Sequence, residues 1–328
     1  MAASRIRSVL AWHVHGSWME SFVSGHHRYL LPLSPDRGPD GRGGRCGRDW
    51  PRTEEVPFDR LRDADVDVVV LQRPEELEMA HRWLDRRPRR RCACRLRRAQ
   101  RAAAGRGDQR PPAADQSDIP IIHVTAFNRL MWDNGCAPTT IIEHGIADPG
   151  PRYTGEIPAA ATMINEPVRR SRVVGTDLLG ELGATIPPID VWGGIGTNEL
   201  NDAPHRRNRV TGLGDMPTAR LWSEVAHRRV YLHTARWTSL GLSLVEAMFL
   251  GMPIVAVAST MAPLVVPEEA GGVVSADVAV LGRALNEYLV EETAAEIAGK
   301  AARSFALAHF GLGRFLSQWD DVIESLCA

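Results

Sequence analysis

Lysine is nearly missing from this chain. Lys300 is the only lysine among 39 basic side chains in 328 residues, and 40 acidic side chains leave a net charge of −1. That balance provides no basic field over the whole chain and excludes nucleic acid as an expected partner. Arginine in place of lysine, with abundant Ala, Gly and Pro, points to a GC-rich coding sequence. Cysteine is also scarce. The five are Cys46, Cys92, Cys94, Cys136 and Cys327, an odd number with no zinc spacing, since Cys92-x-Cys94 is not C-x-x-C. A disulfide framework is therefore not expected, and reduced thiols of the cytosol are. Long hydrophobic runs are absent too. The run around 249–258 falls far short of the roughly 20 residues that cross a bilayer. Near the start, Val9, Leu10, Ala11 and Trp12 are followed at once by His13 and His15, which is not a signal-peptide pattern. A cytoplasmic chain with no transmembrane segment is the expectation, and its length suits two domains.

The most informative stretch is 237–257, WTSLGLSLVEAMFLGMPIVAV. It reads as a loop, a short helix and a buried strand. Leu244, Ala247, Met248 and Gly251 recur at i, i+3, i+4 and i+7, one apolar helix face. Gly251 suits a left-handed C-terminal cap, and Pro253 cannot continue the helix. Residues 254–257 are a continuous apolar run, as in a parallel strand buried on both faces. Gly241, Leu242 and Ser243 stand at the helix start, where free N–H groups bind phosphate. Glu246, expected in the first turn, carries two readings. Its carboxylate can hold the paired hydroxyls of a ribose, or Ser243-x-x-Glu246 can be a capping box that only satisfies backbone donors.

The order of these residues resembles the donor-binding signature of glycosyltransferase family 4, E-x-F-G-L-x-x-x-E-A-M/L-x-x-G-x-P-V-V-A. Gly241, Leu242, Glu246, Ala247, Met248, Gly251, Pro253, Val255 and Ala256 match it, while Thr238 stands for the first Glu and Leu240 for the Phe. The resemblance implies an α/β chain of the GT-B fold, two doubly wound Rossmann-like domains facing a cleft, with a C-terminal helix crossing back to the N-terminal domain. It implies Glu246 on the donor ribose and Thr238, a hydroxyl without charge, near the donor sugar. The family's Arg after the first strand of the second domain falls on Arg169. Its Lys falls on Val174, with Arg172 or Arg170 as substitutes. Gly16, after the first strand, takes the place of the family's glycine loop facing the donor, and Gly214, Asp215 and Met216 that of the turn near the base. Glu143-His144-Gly145-Ile146 resembles the N-G-I/V-D that closes the family's first domain.

Strand and helix signals alternate twice over, which argues for two doubly wound units. In the first, strands are expected at 5–14, 66–71, 119–124 and 140–142, helices at 75–84 and 127–132, and a tight turn at Gly16-Ser17. His13 and His15 would then share a strand face, where two histidines ordinarily pack or hydrogen-bond, and no metal is assigned. Residues 148–151 read as the linker. In the second unit, strands are expected at 161–164, 189–192, 209–213, 230–233 and 254–257, with a loop and strand across 263–274; the basic stretch 166–172 either binds phosphate or is a solvated turn. Helices are expected at 218–226, 278–289 and 293–308, and an amphipathic terminal helix at 312–326. The domains are thus 1–148 on the acceptor side, 149–310 for the nucleotide-sugar, and 311–328 the crossover helix. Gly193-Gly194-Ile195-Gly196 lacks the full dinucleotide spacing and reads as a strand-end turn.

Residues 86–116 break the pattern. They hold many arginines, only Asp108 and Asp115 as acids, and no apolar run where the domain needs a strand. A basic loop for an anionic lipid or nucleic acid, a disordered insertion and a stretch translated out of frame from GC-rich DNA are the three readings. The last is preferred, with an impaired acceptor domain and low activity as its consequence.

The leading expectation is a glycosyltransferase with Arg169 and Glu246 at its centre, working with retention. Its donor would be a UDP- or GDP-sugar, with no cofactor or metal, and its acceptor a lipid, a saccharide or a small molecule. Family members that glycosylate lipids leave peripheral contact with the inner face of a membrane open. The alternatives are a catalytically impaired GT-B scaffold that binds nucleotide or a partner, favoured by Thr238 and Val174, a nucleotide-sugar epimerase of the same fold, and an NAD-dependent oxidoreductase resting on Gly193–Gly196.

Overall fold

Short runs of β-branched and aliphatic residues become the strands. The computed structural model describes residues 5–44, 50–84, 91–94, 110, 111, 113–185, 188–202 and 209–327. The chain divides into two units, Met1–Ala147 with Leu312–Ala328, and Asp148–Gly311.

The first unit contains β1 (Ser8–Ala11), β2 (Arg28–Leu33), β3 (Thr53–Pro57), β4 (Val68–Val70), β5 (Arg91–Cys94), β6 (Ile121–His123) and β7 (Thr139–Ile141). Their order is β3-β2-β1-β4-β5-β6-β7, and each pairing is parallel. Val9, Leu10 and Ala11 lie opposite Val68, Val69 and Val70, and all six are buried. A sheet covered on both faces selects such unbroken apolar runs. Neither β2 nor β3 was marked by the sequence. Glu54, Glu55 and Pro57 interrupt the apolar pattern of β3, which an edge strand tolerates.

Three sequence expectations are corrected here. β1 ends at Ala11, so His13 and His15 are not on a strand. His13 instead places Nδ1 3.0 Å from the Gly43 carbonyl and tilts against Trp50. Gly16 opens a helix, Gly16–Phe22, where a tight turn was expected. In the arginine-rich stretch the strand β5 pairs with β4 on one side and β6 on the other. Most of the remainder of 86–116 lies outside the described residues, and with it the reading of that stretch. Its last residues do not: Ala114 is buried, and its carbonyl accepts from Cys136 N at 2.9 Å.

The terminal helix, Leu312–Cys327, buries Phe315, Trp319 and Ile323. These recur every fourth residue, one helix face. They join Trp18, Phe22 and Val23 in one core cluster of the first unit.

The second unit contains β8 (Ile157–Met163), β9 (Ile189–Trp192), β10 (Val210–Gly214), β11 (Arg228–His233), β12 (Ile254–Val257) and β13 (Val273–Ser275). They run parallel in the order β10-β9-β8-β11-β12-β13. Val230 and Leu232 of β11 pack into a cluster with Leu179, Leu182, Leu281 and Leu285. Tyr231 and His233 point to the other face, because strand residues alternate. Residues 148–151, read as a linker, open this unit, with Asp148 ion-paired to Arg303 at 2.8 Å. The basic stretch 166–172, for which a solvated turn was one reading, is helical: Pro167–Val174, bent at Ser171 (φ 30°), is followed by the helix Thr176–Thr185. Pro167 starts that helix where its missing N–H costs nothing.

Candidate functional site

Strand order reverses between β8 and β11: β9 and β10 lie beyond β8, and β12 and β13 beyond β11. In an open parallel sheet the crevice beyond the carboxyl ends at such a reversal is where ligands bind. The segment after β8 and the loop after β11 line it. The two are tied together. The N–H groups of Arg236 and Trp237 donate to the Val173 carbonyl at 3.0 and 3.2 Å, and Thr234 Oγ1 donates to the Val174 carbonyl at 2.7 Å. Gly175 makes this approach possible. Its φ is +79°, and a Cβ there would overlap the Thr234 carbonyl. Neighbouring loops join in. Gly194 N donates to Asn165 Oδ1 at 2.7 Å, Glu166 N to the Ile195 carbonyl at 2.7 Å, and Gly193 N to the Gly214 carbonyl at 3.1 Å.

The helix Leu242–Leu250 leaves this crevice with Gly241 as its N-cap. The N–H groups of Leu242 and Ser243 donate to no acceptor among the described residues, which is the unpaired state of a helix start. The imidazole of His233 lies against Gly241, its Cε1 2.6 Å from where a Cβ would stand. Burial lowers the pKa of that histidine to about 4, so it is neutral.

This boundary corrects the reading of Ser243 and Glu246. Ser243 is inside the helix, and its hydroxyl lies 3.4 Å from the Met163 carbonyl as donor. It cannot be the cap of a capping box. Glu246 sits in the second turn, not the first. Desolvation raises its pKa to about 7, and the indole N–H of Trp222 beside it limits the rise. Tyr231, whose pKa burial raises, stands among Ser243, Met163 and Thr162 with Glu246 nearby. A carboxyl at the edge of this polar group can accept two hydroxyl donors when ionised.

The cations are arranged unequally. Arg169 is largely exposed and forms a two-point ion pair with Glu166, through Nε at 2.5 Å and Nη2. Arg172 is more exposed still and donates to Asp177 Oδ2 at 3.0 Å. Arg236, which the sequence did not single out, is only 28% exposed at its side chain. It grips Asp177 with Nη1 at 2.6 Å and Nη2 at 2.9 Å. These hydrogen bonds hold the Asp177 carboxyl below the usual carboxylate range. No local pattern marks Arg236, since its partner lies 59 residues away.

Ser243 and Glu246 thus stand around Tyr231 beside the end of β8. Arg172 shares Asp177 with Arg236, Arg169 is paired with Glu166, and Thr238, Gly241 and Leu242 follow β11 in the chain. Gly214 ends β10, and Asp215 and Met216 follow it, with Asp215 Oδ1 3.6 Å from where a Cβ on Gly194 would stand. Gly16 belongs to the other unit, at the strand-order reversal between β1 and β4. Gly193–Gly196 leads into a 3-10 turn, Asn198–Asn201, and not the helix a dinucleotide loop requires.

Among the described residues, His26, His27 and Asp320 are grouped closely enough to suggest a metal site. The Arg7 N–H donates to His27 Nδ1 at 3.2 Å, so the imidazole proton resides on Nε2, facing Asp320 Oδ1 at 3.3 Å. That nitrogen has no lone pair to offer a cation. No helix among the described residues is long and apolar enough to cross a membrane.

The family model for glycosyl transferases group 1 matches residues 199–305. No curated protein matches the chain. Among solved structures, the chain is similar to the Anabaena protein HepE in complex with UDP-glucose, at 14% identity and a TM-score of 0.72, covering 98% of this chain and 100% of that one. It is similar to sucrose-phosphate synthase from Thermosynechococcus elongatus, at 14% identity and a TM-score of 0.69, covering 98% and 99%. A glycosyltransferase from Rickettsia africae is 11% identical with a TM-score of 0.67, covering 98% and 99%. These likenesses show the fold: α/β with parallel sheets, that of GT-B glycosyltransferases.

Proposed function

We propose that the protein is a glycosyltransferase that takes a sugar from a UDP- or GDP-sugar and passes it to an acceptor hydroxyl. The observation that carries this reading is the crevice between β8 and β11, where unpaired N–H groups of a helix start, several arginines and a desolvated glutamate meet. The group 1 match over residues 199–305 includes most of it, and HepE, which shares the fold, binds UDP-glucose. A nucleoside diphosphate leaving group gains negative charge as the glycosidic bond breaks. Fixed cations and backbone N–H groups stabilise that charge without reorganising. Arg169 and the N–H groups of Leu242 and Ser243 take this role, and Glu246 holds the ribose hydroxyls. Thr238 lies near the sugar, and Gly214, Asp215 and Met216 near the base. Membership of family 4, transfer of a hexose with retention, and a lipid, saccharide or small-molecule acceptor reached in the cytoplasm or at the inner face of a membrane are finer parts of the same proposal. The charge chemistry is supplied by arginine and needs no metal.

A thermal-shift panel of UDP, GDP and NAD tests the reading. A ligand at 100 times its Kd stabilises the native state by about 2.7 kcal/mol. A shift with UDP or GDP, followed by transfer or hydrolysis of the labelled sugar donor, is expected. A shift with NAD alone, or with none of the three, would sink the reading.

Thr238 and Val174 favour a second reading, a scaffold that keeps the nucleotide but has weakened catalysis. Thr238→Glu distinguishes the two. A rise in turnover marks a weakened enzyme, and a fall marks a site shaped around the hydroxyl.

A further inference from the structure

We propose that Arg236, held in place by Asp177, is a diphosphate-binding residue of the crevice. The inference rests on the nucleotide reading above. Its ground is the geometry of one guanidinium. Arg236 belongs to the loop between β11 and the helix Leu242–Leu250, and its backbone N–H is fastened to the Val173 carbonyl at 3.0 Å. Its side chain therefore lies beside the C-terminal end of the helix Pro167–Val174, where Nη1 also donates to the Arg172 carbonyl, while Val174 itself is buried in the core.

A guanidinium has five N–H donors in a rigid plane. Asp177 takes one from Nη1 at 2.6 Å and one from Nη2 at 2.9 Å, and the Arg172 carbonyl takes a second from Nη1 at 3.1 Å. The Nε–H and the remaining Nη2–H have no partner among the described residues. In a planar guanidinium these two donors share one edge, which matches two oxygens of a phosphate. Asp177 thus fixes the plane and leaves the binding edge open.

The neighbouring cations are less well prepared. Arg169 is 64% exposed and already paired with Glu166, and Arg172 is 78% exposed with a single contact to Asp177. Exposed arginines lose rotamer freedom on binding, whereas Arg236 has already lost it. Three arginines, Arg169, Arg172 and Arg236, pair with only two acids, Glu166 and Asp177. The same rim carries the free N–H groups of Leu242 and Ser243. Asp177 is a positioning residue that acts mainly through Arg236, with a further contact to the exposed Arg172.

The test compares nucleoside diphosphate with nucleoside on the full chain by titration calorimetry, using UDP and uridine, or GDP and guanosine if the wild type prefers guanine. Arg236→Ala is expected to weaken diphosphate binding roughly tenfold to a hundredfold, to leave nucleoside binding unchanged and to flatten the salt dependence of diphosphate binding. Arg236→Lys restores the charge but not the fork, and part of the affinity. It also carries the test if the alanine variant does not fold. Asp177→Asn, which keeps Arg236 but loosens it, falls between. Equal loss of nucleoside and diphosphate affinity, or a change in urea stability with unchanged diphosphate affinity, would overturn the assignment and leave the proposed function standing. A wild type that binds neither diphosphate would overturn both.

Discussion

The indole of Trp319 stands edge-on to that of Trp18, with ring centroids 5.8 Å apart and planes at 76°. One ring comes from the terminal helix and the other from the helix after β1, and both are almost fully buried. Aromatic pairs prefer this edge-to-face geometry. Trp319→Ala removes the ring from the middle of a stripe that includes Phe315 and Ile323. A loss of about 3–5 kcal/mol is expected in urea unfolding. Stability within error of the wild type would mean that the terminal helix is not part of this core.

Glu246 ties stability to pH. Its pKa rises from 4.5 unfolded to about 7 folded. The folded chain therefore holds a proton that the unfolded chain has lost, and this contribution to stability declines as pH rises through that window. Glu246→Gln removes the burial penalty, so the variant is expected to be more stable than the wild type at pH 8 and close to it at pH 4.5. If the ionised carboxylate holds the ribose, binding of a UDP-sugar strengthens as pH rises through about 7. The glutamine variant binds weakly at every pH. Unchanged affinity in that variant would remove Glu246 from the site.

His27, His144 and His233 act in the opposite direction. Burial lowers each from 6.5 to about 4, with a neighbouring histidine adding to the effect at His27 and His144. Between those values the unfolded chain takes up protons that the folded chain refuses, so stability is lost as pH falls from 6.5 towards 4. Urea midpoints at pH 7 and pH 5 should differ, with the lower value at pH 5. The fall should be steeper in Glu246→Gln, where the opposing group is gone. A flat profile in that variant would contradict the burial of these imidazoles.

If Arg169 binds the donor phosphate as proposed, Glu166 competes with it for that guanidinium. Its carboxylate occupies two guanidinium nitrogens, and it places a negative charge beside the proposed phosphate site. Glu166→Gln is expected to raise nucleoside diphosphate affinity several-fold. Arg169→Ala should lower it only modestly, because the group is exposed and screened by solvent, but by more than Arg170→Ala does. Equal effects of Arg169→Ala and Arg170→Ala would withdraw Arg169 from the binding reading.

Gly175→Ala tests the junction beneath the crevice. Positive φ and the nearness of the Thr234 carbonyl both oppose a side chain there. A cost on the order of 1–3 kcal/mol is expected, together with weaker nucleotide binding, because the segment after β8 and the loop after β11 would be pushed apart. Full nucleotide affinity in the folded variant would show that their separation does not matter.

The sequence by itself determined the elements whose signals are local. The helix Leu242–Leu250 was legible from its apolar spacing and from Gly251, and β12 from its unbroken apolar run. β9 and the helices Thr218–Ala226 and Glu75–Leu84 were equally clear, because each carries a complete periodicity within its own length. The face of Phe315, Trp319 and Ile323 was visible for the same reason. β2, β3 and β5 were not. β3 mixes acids and proline, β5 is four residues in an arginine-rich stretch, and the apolar run of β2 is broken by Pro32; what makes them strands is pairing with partners distant in the chain. The helix start near Gly241 was legible, but the capping-box reading placed the cap two residues late at Ser243, and only the backbone geometry at Gly241 shows where the chain enters the helix. Arg236 was invisible for a related reason. A guanidinium acquires direction from the carboxylate that grips it, and Asp177 reaches Arg236 only after β8 and β11 have become neighbours in the sheet.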